Sequence, residues 1–257
     1  MWYSILAYFK FLTKASNQHG VHSPFVYNFI TKCVYDNTRY SAYTALKHYR
    51  KQLSSSKETL EVSDFGAGSR VMKTKTRRVG AMAKKAGTPL KRAKLMYRMT
   101  RYFNMEELLE LGTSLGTAPH AMHLGNPKAQ ITTIEGCPNT AEFAKQSLKQ
   151  NNVANTTVIT GDFRSVLQKQ NTRPYDLVFF DGHHEKEATI AYFESLVVNT
   201  HNDSVFIFDD IYWSRGMTEA WEYIKQHPQV TVTVDLFFWG IVFFRKEQVK
   251  EHFKIRF

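Results

Sequence analysis

The chain has 257 residues, 43% hydrophobic and 14% aromatic, which excludes a disordered, collagen-like or linker protein and suits one large domain, or a domain with a cap. The formal net charge is +11, yet residues 70–101 hold twelve Lys or Arg and no acid, while the rest of the chain carries 22 bases against 23 acids. The excess therefore belongs to one segment, which can attract a polyanion such as RNA or simply form a solvated surface or loop.

No apolar run approaches the roughly 18 residues of a membrane span. The opening apolar stretch lacks a basic leader and a small-residue cleavage site, so it reads as a packing helix to about residue 15. His19-Gly20-Val21-His22-Ser23-Pro24 then leads into an apolar run over 25–34, with Pro24 in its first turn and Ser23 as the N-cap. Further helices are predicted over 43–53 and 91–103. Cys33 and Cys137 offer neither metal spacing nor a disulfide framework, which points to a reduced, cytoplasmic protein.

Near residue 104 the pattern changes. Short apolar runs at 107–111, 130–135, 156–160, 176–181 and 204–209 alternate with helical lengths at 115–124, 140–151, 163–170, 186–199 and 218–226. Such alternation predicts right-handed βαβ units and a parallel, doubly wound α/β sheet. Two more β-rich runs, 230–236 and 241–245, have no helix between them and must form an antiparallel closing pair. The expectation is a mostly parallel seven-stranded sheet with an antiparallel last strand, spanning 105–257, and a helical N-terminal cap over 1–104 that selects the substrate.

Glu110-Leu111-Gly112-Thr113-Ser114-Leu115-Gly116 follows the first of these strands and opens a helix. Glycines there allow a tight turn and close backbone approach to a ligand, although a purely structural βα turn uses them too. Glu135 ends the second strand and can accept hydrogen bonds from both ribose hydroxyls of a nucleoside. The loop lacks both the Gly-Lys-Ser/Thr ending of a P-loop and a Gly-x-Gly-x-x-Gly pyrophosphate turn, so an adenosine-type ligand without polyphosphate fits best. Asp162 ends the third strand, either accepting from an exocyclic adenine amine or capping the next helix. Asp64-Phe65-Gly66-Ala67-Gly68-Ser69 looks like a second nucleotide loop, but basic residues follow it where a strand and an acid belong.

Tyr175-Asp176-Leu177-Val178-Phe179-Phe180-Asp181 precedes Gly182-His183-His184-Glu185, and Val205-Phe206-Ile207-Phe208-Asp209-Asp210 ends the fifth strand. Asp181, Asp209 and Asp210 thus sit at the carboxyl ends of parallel strands, where doubly wound sheets bind ligands. Converging carboxylates repel unless a cation compensates, and Mg²⁺ suits an all-oxygen set; helix capping and a contact to the cofactor amine are the alternative uses.

Together, ELGTSLG, the later Glu135, GDF, YDLVFFDGHH and FDDIYW resemble a class I S-adenosylmethionine-dependent methyltransferase over about 107–245. Within that superfamily the chain is similar to catechol O-methyltransferase-like and macrocin-type sugar O-methyltransferases. The resemblance implies a Rossmann-like methyltransferase fold with S-adenosylmethionine as cofactor. Glu110, Gly112, Ser114 and Gly116 would surround its methionine part, Glu135 its ribose and Asp162 its adenine. Asp181 would touch both the cofactor and a metal held with Asp209 and Asp210. Two departures stand out: catechol-type enzymes have Asp-Asn where this chain has Asp209-Asp210, and their catalytic lysine falls on His184. His184 is therefore a candidate general base, or else a residue that orients Asp181. The expected activity is O-methylation of a small or medium-sized hydroxyl-bearing acceptor. The alternatives are an RNA methyltransferase using segment 70–101 and a cofactor-binding module without catalysis.

Overall fold

The computed structural model describes residues 2–63, 74–85, 87–169 and 173–257. The chain divides into two compact units, one formed by 1–35 with 171–257 and the other by 36–170. The Asp64–Ser69 motif, and Arg70 and Lys73 of the basic segment, lie outside the described residues.

In the unit formed by 36–170, helix α3 (Ala42–Ser55) is followed by two three-residue strands, β1 (Thr59–Glu61) and β2 (Thr76–Arg78), which pair antiparallel. Short helix α4 (Val79–Lys85) and helix α5 (Leu90–Tyr102) come next. Tyr49, Leu53, Leu60, Val79, Met82, Ala83 and Leu115 form one apolar cluster in this unit. The βα repeats then begin: β3 (Glu107–Leu111), α6 (Thr117–Gly125), β4 (Gln130–Glu135), α7 (Pro138–Gln150), β5 (Thr156–Thr160) and α8 (Phe163–Lys169). The three strands are parallel, in the order β3-β4-β5. A helix joins each consecutive pair, the crossover connection that parallel strands require.

The other unit opens with α1 (Trp2–Lys14) and α2 (Pro24–Phe29). Ser23 caps α2 as expected, its hydroxyl accepting from Val26 N, and the helix continues as a π-turn over Ile30–Val34. The unit resumes with β6 (Leu177–Phe180), α9 (Lys186–Val197), β7 (Val205–Asp209) and α10 (Arg215–Gln226). Strands β8 (Val232–Asp235), β9 (Trp239–Phe243) and β10 (Glu251–Lys254) complete it, in the order β10-β8-β9-β7-β6. Strands β6, β7 and β9 are buried along their whole length, the pattern of strands covered on both faces. Trp221 of α10 lies on Gly240, where a Cβ would meet its ring at 2.6 Å, so only glycine admits that ring.

The main sheet has eight strands rather than seven, and the described pairings are parallel except those of β9. The antiparallel strand is therefore the last but one. Strand β10, which the sequence reading lacks, pairs parallel with β8; one buried residue, Phe253, among charged neighbours leaves it without an apolar signature. Strand β9 starts two residues earlier than predicted. Phe237 adopts φ +73°, its N–H donating to Asp235 Oδ1, and this closes the turn before Trp239. Helix α1 is also only half of what its sequence suggests: Phe11 is buried, but most of its large apolar residues face outward.

Candidate functional site

In the 36–170 unit, the loop from Gly112 to Gly116 leaves the carboxyl end of β3 with three positive φ values: Gly112 (+109°), Ser114 (+47°) and Gly116 (+76°). Its backbone is tied to β4, with Gly112 N donating to Ile134 O at 2.9 Å. Glu135, at the end of β4, accepts from Ser114 N at 2.9 Å through one oxygen and from Cys137 N at 3.0 Å through the other. The carboxylate thereby holds the glycine loop and the start of α7 in one geometry.

Behind the loop, Glu110 is fully buried and stands opposite Thr133 in the β3–β4 register. Thr133 Oγ1 donates to Glu110 Oε2 at 2.5 Å and lies 2.6 Å from Thr113 Oγ1, which makes Thr113 the donor in that second bond. Burial pushes the Glu110 carboxyl up to about 8; the Thr133 hydrogen bond works against this, and the Glu135 charge adds to it.

Beneath Gly116 sits Tyr49 of α3, fully buried. Its hydroxyl donates to Leu115 O at 2.7 Å and accepts from Ser147 Oγ at 3.1 Å. A Cβ at Gly116 would meet that hydroxyl at 2.9 Å and Leu148 at 3.2 Å, so both the left-handed backbone and the close approach require glycine. Tyr49 also packs on His120 of α6, ring centroids 4.5 Å apart. Burial, reinforced by His123, lowers His120 to about 4, which keeps the imidazole neutral. Asp162 is exposed and accepts through Oδ1 from Ser165 N and Ser165 Oγ, so it does cap α8.

The unit formed by 1–35 and 171–257 gathers a second group. Phe180 is opposite Phe208 in the β6–β7 pairing, so Asp181 and Asp209 leave neighbouring strand ends side by side. A tight turn with His183 at φ +64° and His184 at +47° brings His184 back, its N–H donating to Gly182 O at 2.8 Å. His184 Nε2 lies 3.8 Å from Asp181 Oδ1. One ligand atom from each of Asp181, His184 and Asp209 falls within 4.8 Å of the others, with Asp209 buried. Asp210 is outside this trio: consecutive strand residues face opposite ways, and Asp210 turns with φ +52° while its N–H donates to Phe238 O. Two carboxylates and an imidazole are a donor set that fits a divalent first-row cation.

The basic segment is partly absorbed into the fold. Arg77 and Arg98 are buried, Arg98 donates to Tyr43 Oη, and Lys94 and Arg101 lie over the rings of Tyr43 and Tyr40. Among the described residues no helix is long and apolar enough to cross a membrane.

Residues 109–211 match the family described as "Methyltransferase domain". Among curated proteins none matches the sequence significantly. Solved structures do match in fold. The SAH-bound methyltransferase PaMTH1 of Podospora anserina has a TM-score of 0.61 at 13% identity, covering 88% of this chain and 97% of that one. The O-methyltransferase TomG of Streptomyces achromogenes, involved in tomaymycin synthesis and bound to SAM, has 0.55 at 16% identity, covering 81% and 91%. An SAH-bound O-methyltransferase of Bacillus cereus has 0.53 at 17% identity, covering 83% and 98%. The chain thus carries a match to a methyltransferase domain over residues 109–211, within a fold that it shares with SAM- and SAH-bound methyltransferases.

Proposed function

We propose that the chain is a class I S-adenosylmethionine-dependent methyltransferase that methylates a hydroxyl oxygen on a small or medium-sized acceptor with the help of a divalent cation, and that it works in the cytoplasm. The observation that carries the reading is the trio Asp181, His184 and Asp209 at the ends of neighbouring strands. The fold likeness to O-methyltransferases such as TomG supports the acceptor class.

S-adenosylmethionine, when bound, supplies a methyl group already activated on a sulfonium. The chain must then hold the reactants in line and take up a proton. In this reading Glu110, Gly112, Ser114 and Gly116 surround the methionine part, Glu135 accepts from the ribose hydroxyls, and Asp162 takes the adenine amine through the oxygen that does not cap α8. Asp181 borders the methionine end and shares a cation with Asp209. A cation there would lower the pKa of the acceptor hydroxyl. The imidazole of His184 makes Mn²⁺ or another first-row ion a better match than Mg²⁺, and Asp210 serves the neighbouring turn or a ligand water. Without a coordination role, His184 is the group placed to receive the hydroxyl proton. Residues 1–104 supply the surface that selects the acceptor.

The test is transfer of labelled methyl to small-molecule and RNA fractions of a cell extract, with and without chelator, by the wild-type chain and by Asp209→Asn. Label in small molecules that chelator and Asp209→Asn abolish, with cofactor binding intact, supports the reading. Full turnover in chelator removes the cation and leaves His184 as the base. Label confined to RNA overturns the acceptor class and assigns a role to segment 70–101.

A further inference from the structure

Among the described residues, eleven large hydrophobic side chains are exposed, and six of them belong to helix α1. The helix is divided lengthwise. On its inner side Phe11 is buried, Tyr8 and Phe11 pack against Phe237, and Ser4 Oγ donates to Tyr212 O at 2.9 Å. On its outer side Trp2, Ile5, Leu6 and Phe9, spaced to share one helical face, are 80%, 43%, 58% and 62% exposed. Lys10 and Lys14 follow Leu6 at intervals of one turn and flank this face, and both are exposed. No Asp or Glu occurs before Asp36, while Lys32 adds a third exposed cation.

We propose that helix α1 is a docking surface for an anionic phospholipid bilayer, on which the protein sits peripherally. Apolar and aromatic residues on one face, lysines on its flank and no acid are what an in-plane interfacial helix requires. The apolar side chains enter the boundary of headgroups and acyl chains, while Lys10 and Lys14 reach lipid phosphates at the rim. At 13 residues the helix is about 20 Å long, enough to lie on a bilayer and too short to cross one. Charge selects this occupant over a second copy of the chain. Two such helices would meet as cations with no acid between them, whereas lipid phosphates neutralise them.

The experiment is flotation of the full chain with vesicles of phosphatidylglycerol and phosphatidylcholine, and with vesicles of phosphatidylcholine alone. Sedimentation velocity measures its oligomeric state in parallel. The wild-type chain is expected to float with the anionic vesicles and remain below with the neutral ones. Leu6→Glu combined with Phe9→Glu, both at exposed sites that leave the inner face intact, should reduce binding about tenfold or more. Lys10→Glu with Lys14→Glu should remove the preference for anionic lipid, and added salt should do so for the wild type. Circular dichroism checks that each variant is folded. Absence of flotation with anionic vesicles overturns the proposal, as does binding that survives both double variants. A concentration-dependent dimer that Leu6→Glu/Phe9→Glu dissociates, without vesicle binding by the wild type, would show that a second copy covers the helix instead.

Discussion

Glu110→Gln separates the burial of the glycine loop's carboxylate from any need for its charge. The wild-type carboxyl is raised from 4.5 to about 8 by burial, so the folded chain holds a proton there that the unfolded chain has released. Stability depends on pH through the difference in bound protons, and here the native state binds more. Raising the pH between those two values therefore costs stability, at most about 1.4 kcal/mol per pH unit. Over two units, from about pH 6 to 8, the loss from this one group reaches about 2 kcal/mol, because the native carboxyl is already half ionised at the upper end. Above the native value the native carboxyl ionises and the loss levels off. Glutamine keeps the shape, accepts the Thr133 hydroxyl through its amide oxygen, and carries no proton to lose. The assay is urea unfolding of both chains at a series of pH values and constant ionic strength. The variant's stability should gain on the wild type steadily from about pH 6 to 8 and then run parallel to it. Curves parallel throughout that window would refute a buried, protonated Glu110.

Three further outcomes follow from the same half of the molecule. Gly116→Ala forces a Cβ to 2.9 Å from Tyr49 Oη at φ +76° and should cost about 1–3 kcal/mol in chemical denaturation, with cofactor affinity falling alongside. Glu135→Ala removes the acceptor for Ser114 N and Cys137 N, and calorimetry with S-adenosylhomocysteine should read a loss of about 1.5–3 kcal/mol in affinity; unchanged affinity would remove Glu135 from the ribose site. Asp162→Ala should lower stability by about 1 kcal/mol through loss of the α8 cap, and unchanged cofactor affinity in that variant would leave Asp162 as a cap alone.

The strands and helices after residue 104 are legible because each has a strong local signal: apolar runs such as Leu177–Phe180, or a Gly loop opening a helix. What escapes is decided by partners distant in sequence. Thr133 matters because register sets it against Glu110, and Tyr49 because α3 packs under the loop; neither has a local mark. Strand β10 is an edge strand of mostly polar residues, which only its neighbour β8 makes a strand. The acids at the strand ends were readable from the parallel topology. That His184, rather than Asp210, joins Asp181 and Asp209 depends on left-handed backbone at His183, His184 and Asp210, residues with no glycine to announce it.

Ser16 bridges to Ile255, and Arg256 donates to Ala15 O and Ser16 O, so the first helix is completed by nearly the last residues of the chain. On the ribosome this order has a cost. Residues 1–35 emerge before residues 36–170, yet the residues with which they form a unit begin at 171. At ordinary elongation rates of about 5–20 residues per second, helix α1 waits on the order of ten seconds or more for Lys254 and Ile255 to arrive. During that interval Tyr8 and Phe11 lack the Phe237 ring against which they pack, and the nascent chain presents both faces of an apolar helix to whatever surface or chaperone it meets first.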